Sequence, residues 1–389
     1  MAQRNPQDGR ILVVGAGLAG AVYARTLAEA GYRVHVIDQR DHIGGNVYDR
    51  VDENGVRFHV YGPHLFHTKI QRTATWFKRF GTFVPYTHKV RARLADGSNV
   101  PLPINLETLN SVFGVVLSDG TEAKAFLANI ASRLDNPANA AEYLNSRIGE
   151  KLTDLFFRPY TKKMWSFDLE DMSATVVKRI PLHYDRSDTY FEIDELQMLP
   201  ENGYTKVFEN IFDHSGITVQ LKTKFHKERL RGFAHCFNAM PIDEYYEFCF
   251  GELPYRSIRF HHRTEPLKGT PNWSVTNFTD NGPFTRETTW HALPNHLCGN
   301  TGRITITKEE PCDYRDNHLE RYYPVKTSDD RYGKVYRMYK ELSDADASSV
   351  TFIGRCGTYQ YLNMDQVINQ SLTRVETWIE KSEGAKAAA

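Results

Sequence analysis

Gly15, Gly17 and Gly20 stand between a β-branched run, RILVV at 10–14, and a helix-like stretch reaching about Ala30. Glycines at this spacing do one job well. The first permits a tight turn, the second lets a pyrophosphate approach the backbone, and the third lets a helix pack closely on a strand. A second apolar run, RVHVI at 33–37, ends at Asp38, whose carboxylate is placed to accept ribose hydroxyls. Strand, glycine turn, helix, strand and acid are the order a βαβ dinucleotide unit requires. Ala19 and Gln39, beside the glycines and the acid, belong to the same cradle.

NAD and FAD both use this unit, so a further feature has to decide. Gly44-Gly45 follows closely in DQRDHIGG, with Asn46 next, and a second glycine pair lets backbone approach the same cofactor. It resembles the extended FAD fingerprint of the glutathione-reductase and amine-oxidase flavoproteins. No second GxGxxG follows for a nicotinamide domain, so FAD is the expected cofactor. His59, His64 and His67 invite a metal reading, but no HExxH and no acidic ligand at helical spacing accompany them, and no metal is expected.

These residues need a frame. From about Leu106 to Asp171 the pattern is helical, rich in Ala, Leu and Glu. Between about Gly216 and Val350 short β-rich runs (ITVQL, SIRFHH, WSVTNF, GRITIT) are punctuated by turn residues, which predicts a largely antiparallel sheet. SVTFIG at 349–354 reads as a buried strand. Asn363 then caps a last helix with Gln366 as capping-box partner, and Val367, Ile368, Leu372, Val375 and Ile379 line one face. The expected fold class is α/β with α+β insertions: a Rossmann-like FAD-binding domain, a helical domain and an antiparallel β-sheet domain. The expected boundaries are 1–85, 205–242 and 345–385 for the first, and 103–182 for the helical domain with a mobile substrate loop. The sheet domain takes 86–102, 183–204 and 243–344.

Composition narrows the class. The 389 residues are 41% apolar and 25% charged, which is the balance of a globular chain rather than a disordered or fibrous one. Forty-eight Lys plus Arg offset 48 Asp plus Glu, so no nucleic-acid partner is expected. The five cysteines are odd in number, scattered and without a CxxC, as in a reduced, cytoplasmic protein. Arg4 and Arg10 before the uncharged run Ile11–Ala24 imitate a signal segment. Its 14 residues fall short of the roughly 18 that span a bilayer, and its glycines have the better explanation above, so no membrane span is expected.

Eight ordered blocks carry a more specific likeness: HIGGNVYDR (42–50), HVYGPHLFHT (59–68), PYTKKMW (159–165), KRIPLHY (178–184), ENGYTK (201–206), NFTDNGPFTR (277–286), YYPV (322–325) and GRCGTYQYLNMDQV (354–367). Over almost the whole chain this resembles the bacterial UDP-galactopyranose mutases. That resemblance implies interconversion of UDP-galactopyranose and UDP-galactofuranose, for galactofuranose-containing surface glycans, with FAD active when reduced and no net redox change. In that family flavin N5 attacks the anomeric carbon, UDP leaves, the ring opens and recloses on the flavin adduct, and UDP returns. It also implies a reductant such as NAD(P)H or a reductase, and a homodimer.

Site residues follow by position. Arg179 and Arg286 occupy the family's two diphosphate-arginine positions, where a planar guanidinium suits bidentate phosphate contacts. Phe156, Phe157, Tyr160 and Trp165 match the mobile uridine loop. An aromatic cluster at such spacing is also what a plain core looks like, and for Phe156 and Phe157 the two readings stay open. His88, Tyr190, Asn277, Tyr323, Tyr361 and Asn363 match further substrate contacts. Gly62-Pro63-His64 lies by resemblance against the isoalloxazine, with Leu65 beside it and His64 sensing the redox state. Arg355, Leu362, Met364, Asp365, Gln366 and Val367 match flavin contacts, the last four opening a helix whose N-terminus suits an anionic reduced flavin.

Four departures from the commoner family pattern leave the sugar open. Pro159 replaces Gly, Met164 replaces Gln, Asn363 replaces Asp, and Ala239-Met240-Pro241 replaces a Thr/Ser-Gly-Pro. A mutase for UDP-N-acetylgalactosamine or a deoxy sugar is therefore one alternative. An amine-oxidase-like flavin oxidoreductase is another, but it would not need the two arginines and the uridine-loop aromatics. A non-enzymatic binding protein on this fold, like the Rab GDP-dissociation inhibitors, would purify colourless.

Overall fold

A computed structural model describes residues 9–388, apart from 179–180, 193–194, 268 and 300. Its first sheet has five parallel strands in the order Ile217–Gln220, Arg33–Ile37, Arg10–Val14, His235–Asn238 and Val350–Phe352. A parallel sheet must be covered on both faces. Side chains of Arg10–Val14 alternate accordingly: Ile11 and Val13 enter one core with Tyr23, Leu27 and Ile368, while Leu12 and Val14 enter another with Tyr339 and Tyr359. The helices Leu18–Glu29, Tyr204–Phe212 and Met364–Ala388 supply the first cover, and Arg331–Ala345 supplies part of the second.

The second sheet has seven strands: Tyr323–Pro324, Tyr255–Pro266, Arg303–Asp313, Arg286–Thr289, Val275–Phe278, Val90–Arg93 and Asn99–Leu102. It is antiparallel as expected, except that Val275–Phe278 runs parallel to Val90–Arg93. Two further strands depart from the expectation. Ile217–Gln220, read among the antiparallel runs though inside the 205–242 stretch expected in the nucleotide domain, joins the parallel sheet beside Arg33–Ile37. Leu196–Pro200, expected with the large sheet, pairs antiparallel with Phe66–Thr68 and Phe83–Pro85 in a separate three-stranded sheet. Met198 and Leu199 explain the second case, because they bury into the core of the nucleotide half.

The helical layer runs from Leu106 to Trp165. Its helices start where the sequence supplies caps: Asn105, Asp119 and Asn139 accept backbone N–H groups of Thr108, of Thr121 and Glu122, and of Glu142. Each cap is worth about 1 kcal/mol. A π-helical turn at Thr153–Phe157 leads into the helix Arg158–Trp165. Pro159 accounts for it: the ring has no N–H for the carbonyl one turn back and crowds it, so the preceding turn widens. Ser166, in the left-handed region at φ 60°, stops that helix.

Candidate active site

Two glycine loops meet where the parallel sheet ends. Gly15 turns at φ +101°, and its N–H donates to Ile37 O at 2.8 Å. A Cβ on Gly20 would lie 1.9 Å from Gly15 O, and one on Gly45 would lie 2.9 Å from Gly17 Cα. Gly17 and Gly44 bridge the loops in parallel, and Gly44 N–H donates to Ala16 O at 2.9 Å. Only bare backbone fits this approach. Asp38 ties the loop down: Oδ2 accepts Ala16 N–H at 2.7 Å and Oδ1 accepts Arg40 N–H at 2.9 Å, leaving a lone pair on each oxygen. Beside Gly15, Asp38 and Gln39 opens a hollow of about 240 Å³. Its acidic end and glycine floor fit the adenosine half of a dinucleotide. Arg40 also donates to Asn46 Oδ1 at 2.9 Å and pairs with Glu320, which spans the rim.

The C-terminal segment closes the cradle from the other side. Gly354 turns at φ +69° with its missing Cβ only 3.1 Å from the Cβ of buried Ala19. Arg355 Nε donates to Leu362 O at 2.8 Å. The last helix begins at Met364, and Asn363 N–H donates to Gln366 Oε1 at 2.8 Å, the return half of a capping box. Met364 and Val367 bury into the nucleotide core. Asp365 accepts from Thr68 Oγ1 through Oδ2, while its buried Oδ1 has no hydrogen-bond partner among the described residues.

Across the cleft, sheet register builds a second site. Asn277, Arg286 and Glu309 lie in one row over three adjacent strands. Arg286 Nη2 donates to Tyr160 Oη at 2.8 Å, and its Nε lies 3.3 Å from Glu309 Oε2. Burial works against the Arg286 charge, but Glu309 and the hydroxyls of Tyr160, Tyr323 and Tyr190 outweigh it, so the guanidinium stays protonated. Burial lifts the Glu309 carboxyl, and Arg286 draws it back. Glu309 Oε1 and Asn277 Oδ1 are buried without a hydrogen-bond partner among the described residues.

Aromatic rings line the space between the two halves. Tyr323 and Tyr361 stack at 5.0 Å and 19°, Trp165 packs 6.0 Å from Tyr323, and the Arg355 guanidinium lies 5.6 Å from the Tyr361 ring. Tyr322 donates its hydroxyl to Tyr61 O, next to Gly62. His64 is buried, with Nδ1 2.9 Å from Gly62 O. Burial, then the charges of Arg355 and Arg286, push its pKa down to about 4, so the ring is neutral at pH 7. His88 is pushed to about 3 by burial, Arg286 and His67. It packs edge-on to Tyr190 at 5.4 Å, and Tyr190 N–H donates to His88 O at 2.8 Å.

Not every expected residue reaches this cleft in the same way. Arg179 lies outside the described residues. Phe156 and Phe157 are buried in the helical layer with Leu152 and Met172, as is Trp165, whereas Tyr160 of the next turn touches Arg286. Leu65 packs half-buried against the nucleotide core. A larger hollow of about 420 Å³, between Tyr23, Tyr336 and Trp378, holds none of the residues expected at the site. Among the described residues no group of His, Cys, Asp and Glu could hold a metal ion, and no helix is long and apolar enough to cross a membrane.

Three residues that carry the arrangement stand outside the sequence expectations. Glu309 sits in a run (TITKEE) whose alternation hides an inward carboxylate. Lys163 Nζ donates to Phe278 O at 3.0 Å and Asp280 O at 2.8 Å, tying the helix Arg158–Trp165 to the Asn277 strand. Arg256 Nε donates to Met164 O at 2.8 Å and caps the same helix. The inward Glu and the basic residue flanking the aromatics are the available signals, but the register that gives them partners is not readable from the sequence.

The family model for UDP-galactopyranose mutase matches residues 155–361, and that for NAD(P)-binding Rossmann-like domains matches 13–80. A probable UDP-galactopyranose mutase of Klebsiella pneumoniae is 34% identical over 95% of this chain and 94% of its own. The chain belongs to the UDP-galactopyranose mutase family. Membership makes it an isomerase of the mutase type. The relatives do not all act on one sugar: a dTDP-fucopyranose mutase of Escherichia coli is 32% identical over 96% of this chain and 99% of its own. Among solved structures, reduced UDP-galactopyranose mutase superposes with a TM-score of 0.74 at 16% identity, covering 96% of this chain and 94% of that one. A putative protoporphyrinogen oxidase of Exiguobacterium superposes at 0.68 and 13%, covering 96% of this chain and 99% of that one, so the mutase fold is shared more widely.

Proposed function

We propose that the chain interconverts UDP-galactopyranose and UDP-galactofuranose with FAD bound in the glycine cradle. Gly15, Gly17 and Gly20 would take the pyrophosphate, Asp38 the ribose, and the Gly354–Gly357 turn with the N-terminus of the last helix the isoalloxazine. When bound and reduced, the flavin supplies a nucleophilic nitrogen to the anomeric carbon. The observation that carries the reading is Arg286, a half-buried cation oriented by Tyr160 and Glu309.

The residues suit the load. A departing nucleoside diphosphate gains negative charge, and a guanidinium fixed beforehand stabilises it without reorganising. Tyr160, Tyr190, Tyr323 and Tyr361 offer hydroxyls to phosphate oxygens, with Arg179 as the expected second cation. Asn277, with its unpartnered oxygen, suits a sugar or ribose hydroxyl. Neutral His64, whose Nδ1–H goes to Gly62 O, offers only the lone pair of Nε2. It is an acceptor toward the cofactor and no proton donor. A reductant such as NAD(P)H or a reductase, a homodimer and a cytoplasmic site belong to the same reading, and family resemblance supports them.

The decisive assay is anaerobic. Dithionite-reduced protein is incubated with UDP-galactofuranose, UDP-galactopyranose is followed by chromatography, and oxidised protein serves as control. Conversion only by the reduced protein is the expected result. The E. coli relative supplies the second reading, so dTDP-fucofuranose runs in parallel. Faster turnover of that sugar would move the assignment to a deoxysugar mutase, and no turnover with substrate-dependent flavin reduction would move it to an oxidase.

A further inference from the structure

Behind His64 two histidines form a hydrogen-bonded line that the proposed chemistry leaves unused. The backbone N–H of His64 donates to His59 Nδ1 at 3.0 Å. His59 Nε2 lies 3.2 Å from His296 Nε2, and His296 Nδ1 lies 2.8 Å from Pro294 O. His59 ends the strand Arg57–His59, and His296 is pinned opposite it by Arg57 N–H donating to His296 O at 2.7 Å. The Trp290 ring walls both, 5.0 Å from His59 and nearly parallel to His296.

Elementary donor rules allow one proton arrangement. A carbonyl only accepts, so His296 carries its proton on Nδ1 and leaves Nε2 bare. An amide N–H only donates, so His59 Nδ1 is bare and its proton sits on Nε2, aimed at His296. Both residues are 1% exposed. Burial pushes His296 down to about 4 and His59 well below the ordinary range, so the line is neutral throughout. A polar pair buried here costs desolvation that an apolar pair would not. What it provides is an acceptor for the one backbone amide that fixes His64.

We propose that the His59–His296 pair is a positioning device that locks the Gly62–His64 backbone and thereby aims the bare Nε2 of His64 at the cofactor. This rests on the FAD reading above. Neither histidine touches substrate or cofactor; both act through His64. The tautomer of His59 meets the His64 amide on one side and the bare Nε2 of His296 on the other, and that of His296 is set by Pro294 O, so the backbone at 294 is coupled to the backbone at 64.

The first test is direct: nitrogen chemical shifts of isotope-labelled histidines in the holoenzyme. His59 should be the Nε2–H tautomer, and His64 and His296 the Nδ1–H tautomer. An Nδ1–H tautomer at His59 overturns the proposal. The second uses side chains of different reach. His59→Asn keeps an acceptor where Nδ1 was but loses the contact to His296, His59→Gln does the reverse, and His59→Phe keeps neither. The ratio of oxidised to reduced flavin affinity should change about tenfold in Phe and Gln, a shift of about 30 mV in the two-electron midpoint, and be largely restored in Asn. Equal potentials in all four proteins, or an Asn variant as shifted as Phe, would overturn it. Should the His59 variants not fold, the tautomers of the unaltered protein decide alone. A protein that purifies without flavin defeats the FAD reading alone, because the same nitrogen shifts can be read in the flavin-free protein.

Discussion

Glu309 and Arg286 face each other on adjacent strands, Oε2 3.3 Å from Nε, with the carboxylate almost fully buried and the guanidinium reaching on to the Tyr160 hydroxyl. A buried carboxylate is a costly way to hold an arginine. Its effect is to fix which edge of the guanidinium is spent and which remains for a phosphate. Arg286→Lys keeps the charge but loses the fork, and the mutase rate should fall about 100-fold or more, as when a preorganised donor is removed. Glu309→Gln should fall less. Glu309→Ala leaves the half-buried guanidinium with Tyr160 alone and should lower the urea midpoint. Full activity in Arg286→Lys would remove the clamp from the mechanism.

Gly45→Ala tests the cradle. The added Cβ would lie 2.9 Å from Gly17 Cα, at a residue with φ +56°. The two loops would have to part, so the variant should purify with little or no flavin absorbance while keeping its far-ultraviolet dichroism. A fully yellow variant would show that the close approach of the loops is not needed for binding.

Lys163→Met removes the tie between the substrate helix and the carbonyls of Phe278 and Asp280 while keeping the length of the side chain. Hydrogen bonds to a charged group are worth about 1.5–3 kcal/mol. Tyr160 and Trp165 should then be held less often in place, and UDP should bind roughly tenfold more weakly, with a smaller change in the rate at saturation. Calorimetric titration with UDP measures this directly; unchanged affinity would mean the tie is not limiting.

Acid should weaken the fold through its buried histidines. His64, His235 and His296 are held near 4 and His88 near 3 by burial, against about 6.5 in an unfolded chain. Between those values the unfolded chain binds protons that the folded one refuses, so stability rises with pH across that window and is lost as pH falls from about 6.5 toward 4. Urea midpoints should drop steadily over that range and level off above neutrality. The same reasoning gives the rate no acid limb from His64 between pH 6 and 7, and a limb there that vanished in His64→Gln would contradict its neutrality.

Local features are the ones a sequence displays openly. Gly15, Gly17, Gly20 and Asp38 are a few residues apart and each answers a requirement of one turn, so the cradle is legible from residue types and spacing alone. Arg286 is legible only through the likeness of PFTR to a family pattern, because nothing in an isolated arginine says which strand lies beside it. Its partner Glu309 depends on register between two strands, and alternation fixes which face a residue takes but not its neighbour. The same limit misplaces Leu196–Pro200: a short apolar run announces a strand and leaves its sheet unstated. Phe156 and Phe157 show the converse, since aromatic residues at helical spacing satisfy a core and a binding wall equally.

The order in which the parallel sheet is assembled has a consequence for synthesis. Its central strand, Arg10–Val14, is made well before its edge, Val350–Phe352, and before the helix Met364–Ala388 that covers Leu18–Glu29. Until they arrive, Ala19 and Ile11 lack part of their cover and the flavin end of the cradle lacks its wall. A growing chain thus carries a complete glycine motif that has no finished pocket to serve. A dinucleotide held there would join late, as a clasp between segments made far apart in time, and not as a seed around which the rest condenses.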